Sequence, residues 1–225
     1  MMPPSKDQAT AVAVLTSGGV ESAALLSEAL VRYERIYPIF VQKGLHWEGV
    51  ELLYLKKLLA ALESDGLAKL TVLEVPLAPI YERHWSMGAV GTPGAKAADT
   101  AVYLPGRNLL LLGLAGLFCN VRKIPILWLG ILKGNPFHDA RAGFLRQFEE
   151  LLHDSLGTPV RIAAPFRELT KGQVIKRWPS IPWGKTFSCL KPVKDKHCGS
   201  CQKCAERKAG FRAAGIGDPT VYAKG

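Results

Sequence analysis

Residues 11–22 read Ala-Val-Ala-Val-Leu-Thr-Ser-Gly-Gly-Val-Glu-Ser, and this stretch decides the fold. The first five residues form a continuous run of small apolar side chains, which is typical of a parallel strand covered on both faces. Gly18 and Gly19 end the run, and residues 21–34 then carry apolar side chains at helical spacing. A strand that passes through a glycine turn directly into a helix indicates an α/β fold.

Strand and helix patterns alternate along the rest of the chain. Further strands are predicted at 36–41, 70–75, 126–132 and 160–164. Further helices are predicted at 47–63, at 139–156 and at 108–120, the last apolar enough to be buried nearly all round. Residues 76–106 contain four prolines and four glycines, so we expect a long, partly ordered loop there. The alternation predicts a doubly wound, mostly parallel sheet of about five strands.

Length and composition set the organisation of the chain. It has 225 residues, 48% of them hydrophobic, which allows one sizeable core. We divide it into a loose lead-in at 1–10, an α/β domain at 11–165 and a basic C-terminal region at 166–225. The longest nearly apolar run, 109–121, is too short to cross a bilayer. We expect no signal peptide and a cytoplasmic protein without membrane association.

The charge of the chain is strongly positive. The formal net charge is +10, and residues 167–212 alone contain twelve Lys/Arg against three Asp/Glu. Such an excess indicates polyanionic partners, which are either nucleotide phosphates or nucleic acid.

The glycine turn after the first strand has the features of a phosphate cradle. Two glycines let backbone amides turn toward one point with no Cβ in the way, and the helix behind them adds partial positive charge. The hydroxyls of Ser17 and Ser22 can add hydrogen bonds. An ordinary strand-to-helix turn, with Ser17 as the helix cap, is the alternative.

Four of the five cysteines lie close together near the C-terminus. Cys189, Cys198, Cys201 and Cys204 have the spacing C-x8-C-x2-C-x2-C. Four thiolates fill the tetrahedral shell of Zn²⁺, so this pattern predicts a closed, structural zinc site. An iron–sulfur cluster is the main alternative, because it also takes four cysteines. Cys119 lies in the predicted apolar helix, where we expect an inert core thiol.

The turn also resembles a known family motif. Ser-Gly-Gly-x-Asp-Ser after a first strand resembles the pyrophosphate loop of the N-type ATP pyrophosphatases, in which ATP is split into AMP and pyrophosphate. Glu21 stands where that family has Asp, so the carboxylate is kept but reaches one methylene further. The resemblance implies an adenine nucleotide α-hydrolase-like fold and the use of ATP with Mg²⁺.

An ordered set of motifs resembles the 7-cyano-7-deazaguanine synthase family over nearly the whole chain. Residues 103–108 are similar to the family's Tyr-Val-Pro-Gly-Arg-Asn, 169–171 to its Leu-Thr-Lys and 186–189 to its Thr-Trp-Ser-Cys. Residues 198–207 match its Cys-Gly-x-Cys-x-x-Cys-x-x-Arg tail. Residues 137–144 keep only the Asp, Arg and final Phe of the family's Tyr-Pro-Asp-Cys-Arg-Pro-Glu-Phe, and residues 44–48 also differ from the family.

The resemblance implies an ATP-dependent ligase that converts 7-carboxy-7-deazaguanine and ammonia into a nitrile, a precursor of queuosine. A carboxyl adenylate would give an amide, and a second ATP would activate the amide oxygen. The resemblance also implies a homodimer. The implied ATP-binding residues are Thr16, Ser17, Gly18, Gly19, Val20, Glu21 and Ser22, with the four cysteines as zinc ligands.

Other roles follow from side-chain chemistry in these motifs. We expect Ser17 to bind pyrophosphate and Glu21 to bind Mg²⁺ or to orient the loop. Arg107 could reach a phosphate or the substrate carboxylate, or could form a structural salt bridge at the helix start. Asn108 could instead cap the helix that follows Arg107. Weaker substrate candidates are Asp139, Arg141 and Lys171, with further positive charge from Lys185.

Two other functions stay open at this stage. Another pyrophosphate-loop enzyme could activate a different carboxylate, a protein or a tRNA base, with the basic C-terminal region holding RNA. A non-catalytic nucleic-acid-binding module could use the same charge, although that region contains few aromatic side chains on which bases could stack.

Overall fold

The computed structural model describes residues 10–223, so the predicted lead-in lies outside the described residues except for its last residue. The strands are β1 (Ala11–Leu15), β2 (Arg35–Gln42), β3 (Thr71–Glu74), β4 (Ile126–Trp128) and β5 (Arg161–Ala163). The helices are α1 (Val20–Arg32), α2 (Glu48–Ala61), α3 (Ala78–Tyr81), α4 (Trp85–Gly88), α5 (Arg107–Val121), α6 (Ala142–Leu156), α7 (Lys171–Arg177) and α8 (Gln202–Ala214). Short 3-10 turns lie at Asp99–Val102, His138–Ala140 and Trp183–Lys185.

The five strands form one parallel sheet in the order β3-β2-β1-β4-β5. The chain builds outward from β1 through β2 to β3, crosses back, and then builds outward through β4 to β5. The sequence prediction of a doubly wound sheet of about five strands is therefore confirmed. The order reverses between β1 and β4, and ligands bind at such a switch point in open α/β sheets.

Strand β1 is apolar throughout because both of its faces are buried. Val12 and Val14 pack into the apolar layer that contains α1, whereas Ala13 and Leu15 pack into the layer that contains α5 and α6. The alternation of side chains along a strand sends neighbouring residues to opposite layers. The continuous apolar run in the sequence is the consequence.

Helix α5 is less buried than the sequence predicts. Leu112 and Cys119 are fully buried against the sheet, but Leu109, Leu117 and Val121 are 50%, 48% and 68% exposed. The expectation of burial nearly all round is wrong because only one face of the helix meets the sheet and α6. The predicted core position of Cys119 is confirmed, and burial raises the pKa of its thiol to about 12.

The C-terminal region packs on the sheet's first apolar layer. Helices α7 and α8 lie against each other, and Val174, Trp183 and Phe211 share one apolar cluster with Val14. This cluster crosses the predicted boundary at 165/166, and the division into two domains stays a prediction. No helix within residues 10–223 combines the length and the apolar character needed to cross a membrane.

Candidate active site

A cavity of about 380 Å³ opens at the carboxyl ends of β1, β2 and β4. Its floor is the glycine turn after β1, and Gly130 after β4 and Arg107 at the start of α5 form part of its walls. The C-terminal region closes it with Lys171 and Ser188. The cavity therefore lies at the switch point of the sheet, where the sequence predicts the phosphate cradle.

The glycine turn is open toward a ligand. Within residues 10–223, the backbone amides of residues 18–22 donate no hydrogen bond to the protein. The amide of Ser17 donates to Ser22 Oγ at 2.8 Å, and the two hydroxyl oxygens are 3.3 Å apart. The amide and the hydroxyl of Thr16 both donate to the carbonyl of Ile39, so Thr16 anchors the turn to β2. Unpaired amides at a helix start form an anion-binding site.

Two glycines are required by close packing around the turn. Gly18 has a φ of +74°, and a Cβ there would lie 3.2 Å from Leu55. A Cβ on Gly130 would lie 2.9 Å from Cβ of Glu21. Gly130 is a site residue that the sequence analysis missed, because it falls inside the predicted strand 126–132, whereas β4 ends at Trp128.

Glu21 lies at the mouth of the turn and is held by a lysine. Lys171 Nζ is 2.8 Å from Glu21 Oε1 and 2.6 Å from Glu206 Oε1, and Lys203 also pairs with Glu206. Burial opposes the charge on Lys171, but the two carboxylates outweigh it and raise its pKa. The structure thus brings Lys171, predicted as a substrate residue, to Glu21 at the glycine turn.

Arg107 reaches the cavity with its guanidinium largely free. Its only hydrogen bonds to residues 10–223 are long ones, of 3.3 and 3.4 Å, to the neighbouring Asn108 Oδ1. The backbone amide of Asn108 donates to Asp139 Oδ2 at 3.1 Å, so Asp139 caps α5 from across the fold. Asp139 and the exposed residues Arg141 and Lys185 do not line the cavity, and their functional roles stay predictions.

A buried ion pair shapes the wall next to β2. Glu48 Oε2 accepts hydrogen bonds from the amides of Lys43, Gly44 and Leu45 at 2.7–3.0 Å. Glu48 Oε1 lies 2.7 Å from Lys43 Nζ. The pair fixes the turn into α2, and Lys43 lines the cavity. The sequence signal for this ion pair was Glu48, an acidic residue in the first turn of a helix.

The remaining wall is apolar and comes partly from the irregular segment 76–106. Val102 and Leu104 line it together with Trp47 and Phe137. Trp47 stacks on Trp85 with ring centres 5.6 Å apart, so the short helix α4 supports this wall. A flat heterocycle fits such a surface by stacking.

The four predicted cysteine ligands come together in a buried cluster. The sulfurs of Cys189, Cys198, Cys201 and Cys204 lie within 4.8 Å of one another. Cys198 and Cys204 are 3.9 Å apart, and Cys189 and Cys201 are 4.0 Å apart. A tetrahedron with metal–sulfur distances of about 2.3 Å has edges of about 3.8 Å. The cluster therefore fits one shared metal ion.

The cysteine cluster is tied to the glycine turn by the segment before Cys189. Phe187 donates its amide to the carbonyl of Gly18 at 2.8 Å, and Ser188 donates its amide to Nε2 of the buried His197. The fully buried Arg207 bonds to Thr186 Oγ1 and to the carbonyl of Trp183, both at 2.8 Å. The sequence analysis found Arg207 only as the last position of the C-terminal motif and missed that it organises this segment.

Comparison with known proteins identifies the family of this chain. The model of a family described as queuosine biosynthesis protein QueC matches residues 10–215. The chain belongs to the QueC family. The 7-cyano-7-deazaguanine synthase of Anaeromyxobacter sp. (strain Fw109-5) is 33% identical over 224 residues, covering 93% of this chain and 94% of that protein. The enzyme of the same name from Persephonella marina is 29% identical, covering 94% and 96%.

Solved structures show the same fold at low sequence identity. The U34-tRNA thiolase NcsA of Methanococcus maripaludis, solved with its [4Fe-4S] cluster, has a TM-score of 0.51 and 13% identity. The match covers 84% of this chain and 64% of that one. A 4-thiouridine synthetase in complex with RNA and ATP has a TM-score of 0.50 and 14% identity, covering 77% and 41%. These likenesses confirm the predicted pyrophosphate-loop fold.

Proposed function

We propose that the chain is a 7-cyano-7-deazaguanine synthase, a ligase that converts 7-carboxy-7-deazaguanine and ammonia into the nitrile and releases AMP and pyrophosphate from ATP. The observation that carries this proposal is the set of unpaired amides at residues 18–22, in a turn whose Gly19, Glu21 and Ser22 line the cavity. The family membership and the names of the relatives favour this function over RNA binding alone.

The glycine turn binds the leaving pyrophosphate in this proposal. The amides of residues 18–22 and the hydroxyls of Ser17 and Ser22 donate to phosphate oxygens, while the start of α1 adds partial positive charge. Donors placed before the reaction stabilise the charge that develops on pyrophosphate as it leaves. A Mg²⁺ ion brought with ATP would shield the phosphates, and Glu21 Oε2 is the oxygen that Lys171 leaves free for it.

Arg107 positions the group that attacks ATP in this proposal. Arg107 has no carboxylate partner within residues 10–223, so its guanidinium can hold the substrate carboxylate or the α-phosphate in a two-point contact. Val102, Leu104 and Phe137 offer an apolar face to a flat ring. Holding both partners in line supplies much of the rate gain in such reactions.

The cysteine cluster holds a structural zinc ion in this proposal. Five backbone amides donate to the cysteine sulfurs within residues 190–201, which suits thiolates. A four-iron cluster would place a separate iron against each sulfur and so hold the sulfurs further apart than one shared ion does. All four cysteines are buried, so a zinc ion here has no open position for substrate.

The partners and location follow from the same proposal. The enzyme takes a small deazaguanine-type carboxylate and free ammonia, works in the cytoplasm and forms a homodimer. Nucleic acid is not required for this chemistry.

One incubation tests the function. Purified protein is mixed with ATP, Mg²⁺, ammonium and 7-carboxy-7-deazaguanine, and the products are analysed by mass spectrometry. We expect the nitrile together with AMP, and neither product when ATP or the carboxylate is omitted. Failure to form AMP with this carboxylate would contradict the proposal, and an amide as the only product would limit it to the first half of the reaction.

A further inference from the structure

The carboxylates that line the cavity are not equivalent. Glu21 and Glu206 are held by Lys171, and Asp99 accepts a 2.6 Å hydrogen bond from Gln202 Nε2. Glu51 also lines the cavity, but its side chain has no hydrogen bond or ion pair with any of residues 10–223. Among the carboxylates that line this cavity, Glu51 is the one with neither a hydrogen bond nor an ion pair to residues 10–223.

Glu51 lies beside the turn that would hold the phosphates. It is in the first turn of α2, and its carbonyl oxygen is 3.3 Å from the position that a Cβ on Gly18 would take. The charged groups that face it are Lys43 after β2, Arg107 on α5 and Glu48 on its own helix. Glu51 therefore lies next to the glycine turn, lines the same cavity as Arg107 and is within its electrostatic reach.

The environment of Glu51 suits a proton acceptor. Burial raises its pKa to about 8, and the repulsion from Glu48 adds to this, whereas Lys43 and Arg107 act in the opposite direction. A general base is most effective when its pKa lies near the working pH. The other carboxylates that line the cavity already have partners in the protein, Glu21 and Glu206 in Lys171 and Asp99 in the Gln202 amide.

Amide formation needs such an acceptor. The lone pair of ammonia forms the new carbon–nitrogen bond, and the bond between the acyl carbon and AMP breaks with its electron pair going to AMP. The nitrogen then carries one proton too many for a neutral amide, and this proton must pass to a base. The proposed reaction thus requires a base close to the adenylate.

We propose that Glu51 accepts the proton that ammonia loses when it displaces AMP from the acyl adenylate. This inference rests on the proposed function and assigns one of its steps to a residue. Formation of the adenylate transfers no proton, so Glu51 is not needed for that earlier step. The two steps can be measured separately, which makes the assignment testable.

The test compares the wild type with Glu51→Gln and with Glu150→Gln, which makes the same change on the exposed face of α6. Adenylation is measured without ammonia, as exchange of pyrophosphate into ATP that depends on 7-carboxy-7-deazaguanine. Amide formation is measured after ammonia is added. We expect Glu51→Gln to keep exchange within about threefold and to lose about 10²-fold or more in amide formation, the usual contribution of a general base. Glu150→Gln should match the wild type in both.

The pH dependence of amide formation distinguishes a proton acceptor from a residue with a purely structural role. At a fixed concentration of free ammonia, the rate of amide formation by the wild type should rise as pH passes through about 8. Glu51→Gln should lack that rise, and Glu51→Asp should restore part of it.

The contrary outcomes are separable. An equal loss of exchange and amide formation in Glu51→Gln, or an unchanged pH profile, would overturn the role of Glu51 while leaving the function in place. No carboxylate-dependent exchange in the wild type would overturn the proposed function and this inference with it.

Discussion

The glycine turn and the cysteine cluster are joined by the short segment 186–189, yet their polar groups differ. Those of the turn are unpaired, whereas those of the cluster are enclosed by the protein. In the turn, the amides of residues 18–22 have no partner within residues 10–223. In the cluster, all four sulfurs are buried and lie against one another, and those of Cys189, Cys198 and Cys201 accept hydrogen bonds from backbone amides. Open donors suit a ligand that enters and leaves in each turnover, whereas a closed ligand set suits an ion that stays.

The two regions are nevertheless mechanically joined. Helix α8 begins directly after Cys201 and carries Glu206, which holds Lys171 against Glu21. The other link is the hydrogen bond from Phe187 to Gly18. The closed region thus positions side chains for the open one, and the predictions below separate this positioning role from direct action on ligands.

The largest effect is expected from loss of the metal. Cys204→Ser removes one of four ligands at a fully buried position, and structural zinc sites supply roughly 10–16 kcal/mol of apparent binding free energy. We expect the C-terminal region to lose its cooperative fold and the protein to lose ATP-dependent turnover. Metal content and thermal unfolding measured by circular dichroism check this.

The matched control for this change is Cys119→Ala, which alters the buried thiol that lies in α5 outside the cluster. It should keep one equivalent of metal and much of the activity. Wild-type stability after complete removal of the metal would show that the cluster is not structural.

A smaller but still large effect is expected in the open region. Ser17→Ala should lower ATP-dependent turnover by about 10²-fold, the scale for losing one donor that acts on the transition state. The fold should not change, because Ser17 is exposed and its amide contact to Ser22 is retained. Steady-state kinetics and thermal unfolding of Ser17→Ala are compared with those of Ser180→Ala, an exposed serine outside the cavity. Turnover equal to that of the control would remove the Ser17 hydroxyl from the phosphate site.

A moderate effect with a defined sign is expected where the two regions meet. Glu206→Gln removes one negative charge next to Lys171 without removing the lysine. We expect KM for ATP to fall by about fivefold at low salt, because about 1 kcal/mol is typical for partly solvated charges near each other. The decrease should become smaller as salt is added. A rise in KM would mean instead that Glu206 matters mainly by positioning Lys171.

The parts of the fold that were predicted correctly depend on local sequence. Each signal lies within a window of about fifteen residues. The signals are the apolar run at Ala11–Leu15, the glycine pair after it, and the strand or helix periodicity of the apolar residues in each later segment. The metal site could be predicted because the spacing of the four cysteines is typical of metal ligands, and the structure does bring their sulfurs together. Local patterns of this kind carry most of the information about which elements form.

The parts that were not predicted depend on contacts between distant elements. Asp139 caps α5 through Asn108, which lies 31 positions earlier in the chain. Lys171 meets Glu21 from a helix that begins 150 positions later, and Gly130 leaves room for Cβ of the same residue. Periodicity also could not show which face of α5 the sheet covers, so the exposure of Leu117 was missed. Such contacts are set by the topology of the sheet and not by any single motif.

A further effect, on stability and not on turnover, concerns the free energy cost of keeping the Glu51 carboxylate unpaired in the open region. The pKa of Glu51 rises from 4.5 to about 8 in the folded chain, so between these values the folded protein holds a proton that the unfolded chain has released. Raising the pH through this window therefore lowers the free energy of unfolding of the wild type. Glu51→Gln does not titrate, so its stability relative to the wild type should increase from pH 5 to pH 8. Urea unfolding midpoints of both proteins at the two pH values, with zinc present, measure this difference. A difference that does not change with pH would show that Glu51 is paired or well solvated in the folded protein, and the open region would then lack its free carboxylate.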